Sequence, residues 1–326
     1  MPEFSNKDDI LIENKVFTEP LKFTNCTNVT IKKCSFNHAN INEKVAVTFS
    51  RCTSVLVEAC YFENCSGVYA VRSSRVTARL NKAVNINGAI PRGQLLQLNA
   101  CTAPNLISGN YVENRVGKTV CFDVINIYKT YGDKSKDEWT VVRDNVLWSP
   151  GSTSVQGGGF MSGDNGGSCQ IVEGNRLFTP GQYGIACAGG EDITLRDNEV
   201  YSKETEISNV GIYVWNQKAA VCQNITVSGN KVDWVSGKTG RKNPWWDGKN
   251  CTDLVVTNND WKWISPLQEP PVASRNPQNG GTPEVPEVPE VPEVPEPVET
   301  ISFTLSKLTD IKIDFQSDIV SLSIAR

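Results

Sequence analysis

The sequence is poor in the features that mark nucleic-acid-binding and membrane-spanning proteins. Charged residues make up 21% of the 326-residue chain, and the formal net charge is −4 with a pI near 5.3. No basic stripe is visible, which argues against nucleic acid as a partner. No apolar run approaches the roughly 20 residues of a transmembrane helix, so we expect no membrane insertion. Met1 to Asp9 carry acids and no apolar run, so we expect no signal peptide.

Histidine and metal-binding motifs are scarce as well. The single histidine, His38, follows Asn37 and is most simply a turn residue. Eleven cysteines are present, but no Cys-x-x-Cys pair or nearby histidine suggests a metal site. No run of acids is dense enough for a Ca²⁺ loop. We therefore predict no cofactor and no metal.

What the chain does have is one short phrase that recurs nine times. Each copy consists of an apolar residue, two variable residues, Asn or Cys, one more residue and usually another apolar residue. The centres lie 21 to 35 residues apart, and a loose period of this size built on strand residues predicts a solenoid. The nine centres are Cys34, Cys60, Asn81, Asn110, Asn145, Asn175, Asn198, Asn230 and Asn259.

The copies favour β-strands over helices. They are rich in Val, Ile, Leu and Thr, whose β-branched members prefer extended backbone. Apolar residues fall two apart before each centre, as Ile193 and Leu195 do, and this is the spacing of one strand face. Each repeat therefore predicts one turn of a coil, and successive turns pair in parallel and bury a continuous core.

The residue types at the centres suggest two structural roles. We expect the Asn residues to adopt left-handed backbone at a bend, and their amides to hydrogen-bond along the stack. Cys26, Cys52, Cys222 and Cys251 each lie eight residues before a centre. Because free Cys behaves as a small buried hydrophobe, we expect internal ladders of reduced thiols and no disulfides.

Alignment of the coils on their centres exposes a second set of strands. Its outward residues are expected to form a ridge along the coil. The set runs over residues 45–52, 67–74, 94–101, 121–128, 158–165, 183–190, 210–217 and 243–250, with predicted inward residues Val47, Phe49, Ala70, Leu96, Leu98, Phe122, Val124, Ile185, Cys187, Ile212 and Val214.

The repeat, with phrases such as Asn-Ile-Thr-Val-Ser-Gly-Asn-Lys-Val at 224–232, resembles that of the right-handed parallel β-helix proteins, the pectate-lyase-like superfamily. The resemblance covers about residues 20–265 and implies an all-β, single-stranded right-handed parallel β-helix of about nine coils. It implies several functions, because the fold hosts polysaccharide lyases, glycoside hydrolases, epimerases, bacteriophage tailspikes and non-catalytic fibres. Many of these enzymes use His beside their acids, and the strings Gly-His-Gly, Asn-Thr-Asp and Asp-Pro-His-Asp are missing here.

Composition divides the chain into three parts. Residues 1–265 form the predicted β-helix with an N-terminal cap. Residues 266–300 form a Pro/Glu/Val-rich linker, since ten of the 17 prolines lie between Pro266 and Pro297, and proline at every third position favours an extended spacer. Residues 301–326 alternate as strands do but are too few to bury an apolar face alone. We expect this tail to pair with sister chains or another protein by strand addition.

Carboxylates on neighbouring coils are the candidate catalytic groups. Glycoside cleavage needs two carboxyl groups at a fixed separation, and coils stacked about 4.8 Å apart bring such groups within reach. The alternative is that these acids are solvated or paired with arginines. The candidates are Asp123, Asp164, Glu191 and Asp192.

Aromatic residues concentrate in the longer coils, together with insertions such as 129–138 and 236–246. Function tends to lie on such loops, and aromatic faces stack on the apolar face of a sugar ring while acids and amides bind its hydroxyls. The alternative is packing under loops. The candidate glycan-binding residues are Tyr128, Tyr213, Trp215, Trp246 and Asp247.

Three functions remain open at this point. The preferred one is a non-catalytic bacteriophage virion or appendage protein, located in the virion. Its tail, residues 301–326, anchors it to other virion proteins or joins sister chains in a homo-oligomer, with a trimer favoured. A host-surface polysaccharide is its candidate ligand. The second function is a tailspike-type depolymerase, either a glycoside hydrolase or a lyase. The third is a cellular lyase or epimerase, which the absent export signal and motifs disfavour.

Overall fold

The computed structural model describes residues 2–37, 45–88, 92–115, 117–149 and 157–266, and the backbone of two strands near the C-terminus. The chain divides into two units, one up to Gly280 and one from Gly281 onward. His38, residues 267–300 of the predicted linker and most of the predicted tail lie outside the described residues. Among the described residues, no helix has the length and hydrophobicity to cross a membrane.

The body is built from parallel strands stacked in three long sheets, which we call A, B and C. One strand, Phe160–Glu173, bends from sheet A into sheet B. The other strands of sheet A are Glu3–Ser5, Leu21–Thr24, Val45–Ser50, Ser66–Val71, Leu96–Asn99, Ile125–Thr130, Tyr183–Cys187, Val210–Val214 and Trp245–Asp247.

Sheets B and C follow sheet A in every coil. The other strands of sheet B are Asp8–Glu13, Thr27–Lys32, Thr53–Glu58, Ser74–Arg79, Asn105–Ser108, Thr140–Arg143, Gly190–Arg196, Cys222–Ser228 and Thr252–Thr257. The strands of sheet C are Val16–Phe17, Ser35–Asn37, Tyr61–Glu63, Lys82–Val84, Tyr111–Glu113, Val146–Trp148, Arg176–Phe178, Glu199–Ser202 and Lys231–Trp234. A short 3-10 helix, Lys134–Lys136, lies between sheets A and B of one coil.

The predicted parallel β-helix is confirmed, with one more coil than the repeat indicated. The described residues contain nine coils with a strand in each sheet, and then two strands of a tenth. The first coil, Glu3–Ser5 to Val16–Phe17, precedes the start near residue 20 that the resemblance suggested. The repeat phrase did not indicate this coil because Lys15 stands where the later copies have Asn or Cys.

The asparagines form the expected ladder, but the left-handed residues lie elsewhere. In each step the Nδ2 of one Asn donates to the Oδ1 of the next at 2.8–2.9 Å, from Asn81 through to Asn259. The left-handed backbone predicted for these centres is wrong, because the residue before each centre has the positive φ instead. Asp144 at 55° and Asp197 at 55° are examples. The tight bend therefore precedes the Asn and leaves its amide pointing into the stack.

The core is the continuous apolar interior of the coil. Ten of the eleven predicted inward residues of sheet A are buried, but Phe122 is not. The strand of that coil begins at Ile125, so its inward residues are Ile125 and Ile127, each 1% exposed. The segment before the strand is irregular, and Phe122 turns outward.

The cysteine prediction is wrong for one pair. Cys222 and Cys251 form a disulfide between neighbouring coils. Sheet pairing matches Gln223 with Thr252, so the preceding cysteines face each other across adjacent strands. The other nine cysteines are buried thiols, as predicted. Equal offsets from the repeat centres indicated neighbouring positions, but whether two stacked thiols join depends on their side-chain geometry.

The two C-terminal strands form an antiparallel hairpin. Ile311–Gln316 pairs with Ile319–Ile324, and Ile313 is opposite Leu322. Strands are therefore present in part of the predicted tail, residues 301–326.

Candidate active site

A β-bulge in sheet A brings Asp164 to the outer face of the coil. Asn126 pairs with Met161 and Tyr128 pairs with Asp164. An advance of two residues along the first strand therefore matches an advance of three along the second. The extra residue reverses the alternation of side chains. Gly163 has φ +61°, and a Cβ there would overlap the carbonyl oxygen of Gly189. Only glycine fits at position 163, and the bulge that it allows brings the carboxylate of Asp164 to the outer face.

Asp123 lies in the irregular segment before its strand and faces Asp164 across one side chain. The Nδ2 of Asn126 donates to Asp123 Oδ2 at 2.9 Å and to Asp164 Oδ2 at 2.8 Å. These two distances limit the separation of the Oδ2 atoms to about 5.7 Å. The Asn126 side chain is held in turn by Gln97, whose Nε2 donates to its Oδ1 at 3.0 Å. The structure therefore brings together two of the four predicted acids.

Tyr183 reaches Asp123 across an intervening coil. Its hydroxyl donates a hydrogen bond to Asp123 Oδ1 from 60 residues further along the chain. The ring crosses the coil at Gly158, where an added Cβ would lie 2.4–2.6 Å from three of its ring atoms. Because glycine leaves room for the ring, the phenol and the carboxylate can meet.

The two carboxyl groups titrate above their ordinary range. Burial raises the pKa of Asp123 to about 6, the nearby Asp164 adds to this, and the hydrogen bonds from Tyr183 and Asn126 oppose it. Burial also raises the pKa of Asp164, while the Asn126 hydrogen bond and the charge of Lys218 oppose that rise. A carboxyl group whose pKa is raised to about 6, beside a second carboxyl group, is an arrangement that suits acid–base catalysis.

The pair lines a cavity of about 400 Å³ on sheet A, which also includes Arg92, Gln97 and Phe122. The Arg92 guanidinium lies 3.8 Å from the centre of the Tyr69 ring and donates to Gln97 Oε1 at 2.6 Å. A fixed cation and several amides therefore surround the carboxylates, and pockets of this size fall within the usual range for small ligands.

An aromatic row leads from the carboxylates along sheet A. The Tyr183 and Tyr213 ring centres are 5.4 Å apart, those of Tyr213 and Trp246 are 6.2 Å apart, and those of Trp246 and Trp215 are 5.7 Å apart. The two tyrosines are buried, whereas Trp215 and Trp246 are 41% and 44% exposed. Of three predicted glycan-binding residues in this row, Trp215 and Trp246 are therefore accessible to a ligand, whereas Tyr213 is buried between them and the acid pair.

The other two predicted glycan-binding residues flank this row. Tyr128 lines the cavity, and its hydroxyl accepts a hydrogen bond from Asn165 Nδ2 at 2.7 Å. Asp247 follows Trp246 and accepts hydrogen bonds from the backbone and side-chain nitrogens of Lys249, both at 2.7 Å. Burial raises its pKa, but the Lys249 hydrogen bonds outweigh that effect and leave the pKa below its ordinary value.

The remaining predicted acids lie on another sheet. Glu191 and Asp192 belong to the sheet B strand Gly190–Arg196. Glu191 accepts a hydrogen bond from Gln223 at 3.0 Å, and Asp192 forms an ion pair with Lys134 at 2.8 Å. The structure does not bring them to Asp123 and Asp164.

Sequence inspection missed the residues that connect the site. Asn126, Gln97 and Tyr183 hold the two carboxylates, yet none stands in a motif. A weak signal was present in the triple glycine 157–159 and in the Gly-Asp pair at 163–164, since glycine in a strand often marks a bulge or a close approach. The partners remained hidden because they are separated by up to 60 residues.

A comparison with protein families gives one match. Residues 3–129 match the family described as the right-handed β-helix region. Among solved structures, a hyperthermoactive exopolygalacturonase from Thermotoga maritima is similar at 15% identity and a TM-score of 0.40, over 65% of this chain and 61% of that one. This chain thus spans less than two thirds of that structure. A search of curated proteins finds no match. The three stacks of parallel strands, together with the family match, identify the body of this chain as a right-handed parallel β-helix.

Proposed function

We propose that this protein binds a polysaccharide along sheet A and cleaves a glycosidic bond of the polymer that is held between the carboxyl groups of Asp123 and Asp164. The observation that carries the proposal is the single Asn126 nitrogen that bridges both carboxylates at the floor of a cavity. Their oxygens are near enough for both to reach one glycosidic linkage. The depolymerase alternative that the sequence left open is thereby favoured over a purely structural role.

The two acids have different roles in the reaction because one is protonated and the other is ionised. Asp123, with a pKa of about 6, retains its proton more readily and donates it to the departing glycosidic oxygen. Asp164, as the carboxylate, attacks the anomeric carbon and forms a glycosyl ester as the glycosidic bond breaks, because oxygens at most about 5.7 Å apart leave no room for an attacking water between them. Asp123, now a carboxylate, takes a proton from the water that hydrolyses this ester, which frees Asp164 and restores the acid. The products are a new reducing end and a new hydroxyl. A positioned acid or base contributes about 10²–10⁴-fold to such a reaction.

The aromatic row supplies the binding surface for the rest of the chain of sugars. Trp246 and Trp215 are exposed, so their faces are accessible for stacking on sugar rings. Arg92 and Gln97 offer hydrogen-bond donors at the cavity. The row extends over three paired strands, from Tyr183 to Trp246, which suits an extended polymer better than a small molecule.

The test is a release assay for reducing ends and unsaturated products on bacterial capsular polysaccharides and lipopolysaccharides. We expect new reducing ends without unsaturated products, and a loss of at least about 100-fold in Asp164→Asn. Asp144→Asn is the matched control, because that acid is exposed at a turn of the same fold. Unsaturated products would indicate a lyase, and equal activity in Asp164→Asn would disprove the assigned pair.

A second proposal concerns where the protein acts. We infer that it is a bacteriophage virion component that is anchored or oligomerised through residues 301–326. The hairpin Ile311–Gln316 and Ile319–Ile324 supports the assembly role of this tail, because a two-stranded hairpin alone is marginally stable in water and gains stability from a partner sheet. Deletion of residues 301–326 should abolish incorporation into particles and reduce any trimer to monomer, while the body keeps its β-sheet circular dichroism. Unchanged incorporation and mass would contradict it.

A further inference from the structure

A second cleft lies on sheet B, away from the carboxylate pair. Its volume is about 400 Å³, and Trp139, Asp192, Asn224 and Asp253 line it. Thr226 is in the same lining and belongs to the strand Cys222–Ser228. The cleft extends along sheet B from the strand that begins at Thr140 to the fourth strand after it. Four steps between paired strands correspond to about 19 Å.

One wall of the cleft is a loop that is closed by hydrogen bonds and joined to sheet B by an ion pair. Asp133 and Glu138 exchange two backbone hydrogen bonds at 3.0 and 3.1 Å, which close the loop at its base. Lys134 then forms an ion pair with Asp192, 58 residues further on. The Nε1 of Trp139 donates to Asp137 at 2.8 Å, which orients the indole. Because the wall is fixed before any ligand arrives, binding there costs little ordering entropy.

The opposite side of the cleft presents polar groups without protein partners. Within the part of the chain that the structure describes, the side chains of Asn224 and Asp253 make no hydrogen bond or ion pair, and Asn224 and Asp253 are exposed. They stand on neighbouring strands in equivalent positions, since Ile225 pairs with Leu254. An amide and a carboxylate side by side can accept and donate hydrogen bonds to a row of hydroxyls.

The charge of the cleft selects among ligands. Lys134 is neutralised by Asp192, and Asp253 leaves one net negative charge. An anionic sugar or a phosphate would be repelled. The partly exposed indole of Trp139, opposite hydroxyl-binding groups, suits a sugar ring, whose apolar face stacks on the indole while its hydroxyls bind the amide and carboxylate.

We propose that this sheet B cleft is a second glycan-binding site, which takes a neutral polysaccharide and takes no part in cleavage. It is independent of the proposed activity, since no residue of the carboxylate pair lines it. A non-catalytic site on a different sheet would hold the polymer while sheet A acts on another segment, and would still bind if sheet A proved inactive.

The test is affinity electrophoresis in native gels that contain dextran, mannan, galactan, mixed-linkage β-glucan or arabinoxylan. All variants carry Asp164→Asn so that cleavage cannot remove the polymer. We expect retardation by at least one polysaccharide that persists in 0.5 M NaCl, as a neutral ligand requires. Trp139→Ala should weaken binding about tenfold or more, which corresponds to the loss of one aromatic contact, and Asn224→Ala should weaken it in the same gel.

Trp263→Ala, which removes an indole outside both the cleft and the sheet A row, is the matched control and should retain full retardation. Retardation that Trp246→Ala removes and Trp139→Ala leaves unchanged would assign the polymer to sheet A and overturn the proposal. The absence of retardation in every gel, or its loss in salt, would overturn it as well. Trp139 and Asn224 lie outside the core, so these variants should fold. Far-UV circular dichroism of each variant checks this and excludes misfolding as the cause of weaker binding.

Discussion

Asp123 and Asp164 accept hydrogen bonds from one and the same nitrogen, the Nδ2 of Asn126. The chain separates the two acids by a full coil, and the shared donor brings them to the floor of one cavity. This relationship links the fold to the proposed chemistry, because sheet pairing positions Asn126 and the bulge at Gly163 positions Asp164.

The Tyr183 hydrogen bond should set the alkaline limit of activity. It lowers the pKa of Asp123, while burial raises that pKa to about 6. Because Asp123 must be protonated to act as the acid, activity should fall as pH rises through about 6. Tyr183→Phe removes the opposing hydrogen bond, so the pKa of Asp123 rises and the alkaline limb of the kcat/KM profile moves to higher pH. A limb that stays in place or moves to lower pH would exclude Asp123 as the acid.

Asp123 should also make the free energy of unfolding depend on pH. Its pKa of about 6 in the folded state exceeds the ordinary 3.8, so the native state binds the proton more tightly than the unfolded state. Stability therefore falls as pH rises from about 4 to about 6 and then levels off. The effect is at most about 3 kcal/mol, at about 1.36 kcal/mol for each pKa unit. Guanidinium unfolding at several pH values should show a larger decline in wild type than in Asp123→Asn, which keeps the smaller contribution of Asp164, whose pKa burial also raises.

The exposed end of the aromatic row should contribute more to polymer binding than to the rate of the catalytic step. Trp246 lies two ring contacts away from Tyr183, which touches Asp123. Trp246→Ala should raise KM for the polymer by up to about tenfold, the equivalent of one aromatic contact, with kcat nearly unchanged. Trp263→Ala, which removes an indole outside this row, should change neither value. A fall in kcat with constant KM would place Trp246 in the reaction itself.

The asparagine ladder should be costly to interrupt in its interior. Asn175 is fully buried, and its Oδ1 accepts from both the backbone N–H and the Nδ2 of Asn145. Asn175→Ala leaves both donors unpaired, at about 1–3 kcal/mol each. Asn259→Ala is the matched control, since Asn259 accepts the same two bonds from Asn230 but is only partly buried, so water can replace it. Denaturant unfolding should show the larger loss for Asn175→Ala, and equal losses would argue against a buried ladder.

The cysteine state can be counted directly. In guanidinium without reductant, we expect nine reactive thiols, the buried ones that are not in the disulfide. Reduction should expose all eleven and lower the stability by about 3–4 kcal/mol, the value expected for a loop of this size. Cys251→Ser should give ten thiols before and after reduction, one fewer than the eleven of the chain. Eleven thiols in the unreduced wild type would show that Cys222 and Cys251 are not joined.

The sequence by itself determined the coil. The recurring apolar positions and the Asn or Cys centres predicted parallel stacking and burial from Cys34 to Asn259, because a strand with one apolar face can bury it only against its own repeats. It also marked Asp123, Asp164 and the aromatics as candidates, since their residue types carry the chemistry of sugar cleavage and stacking.

Only the tertiary structure decided which of these candidates meet. Asp164 reaches the outer face through a single-residue bulge, and Tyr183 reaches Asp123 because Gly158 opens the coil between them. Glu191 and Asp192 look equally suitable in sequence, yet they start the next sheet. Repeat patterns fix the order of coils, whereas one inserted residue reverses every side chain after it, and such shifts depend on the pairing of distant strands.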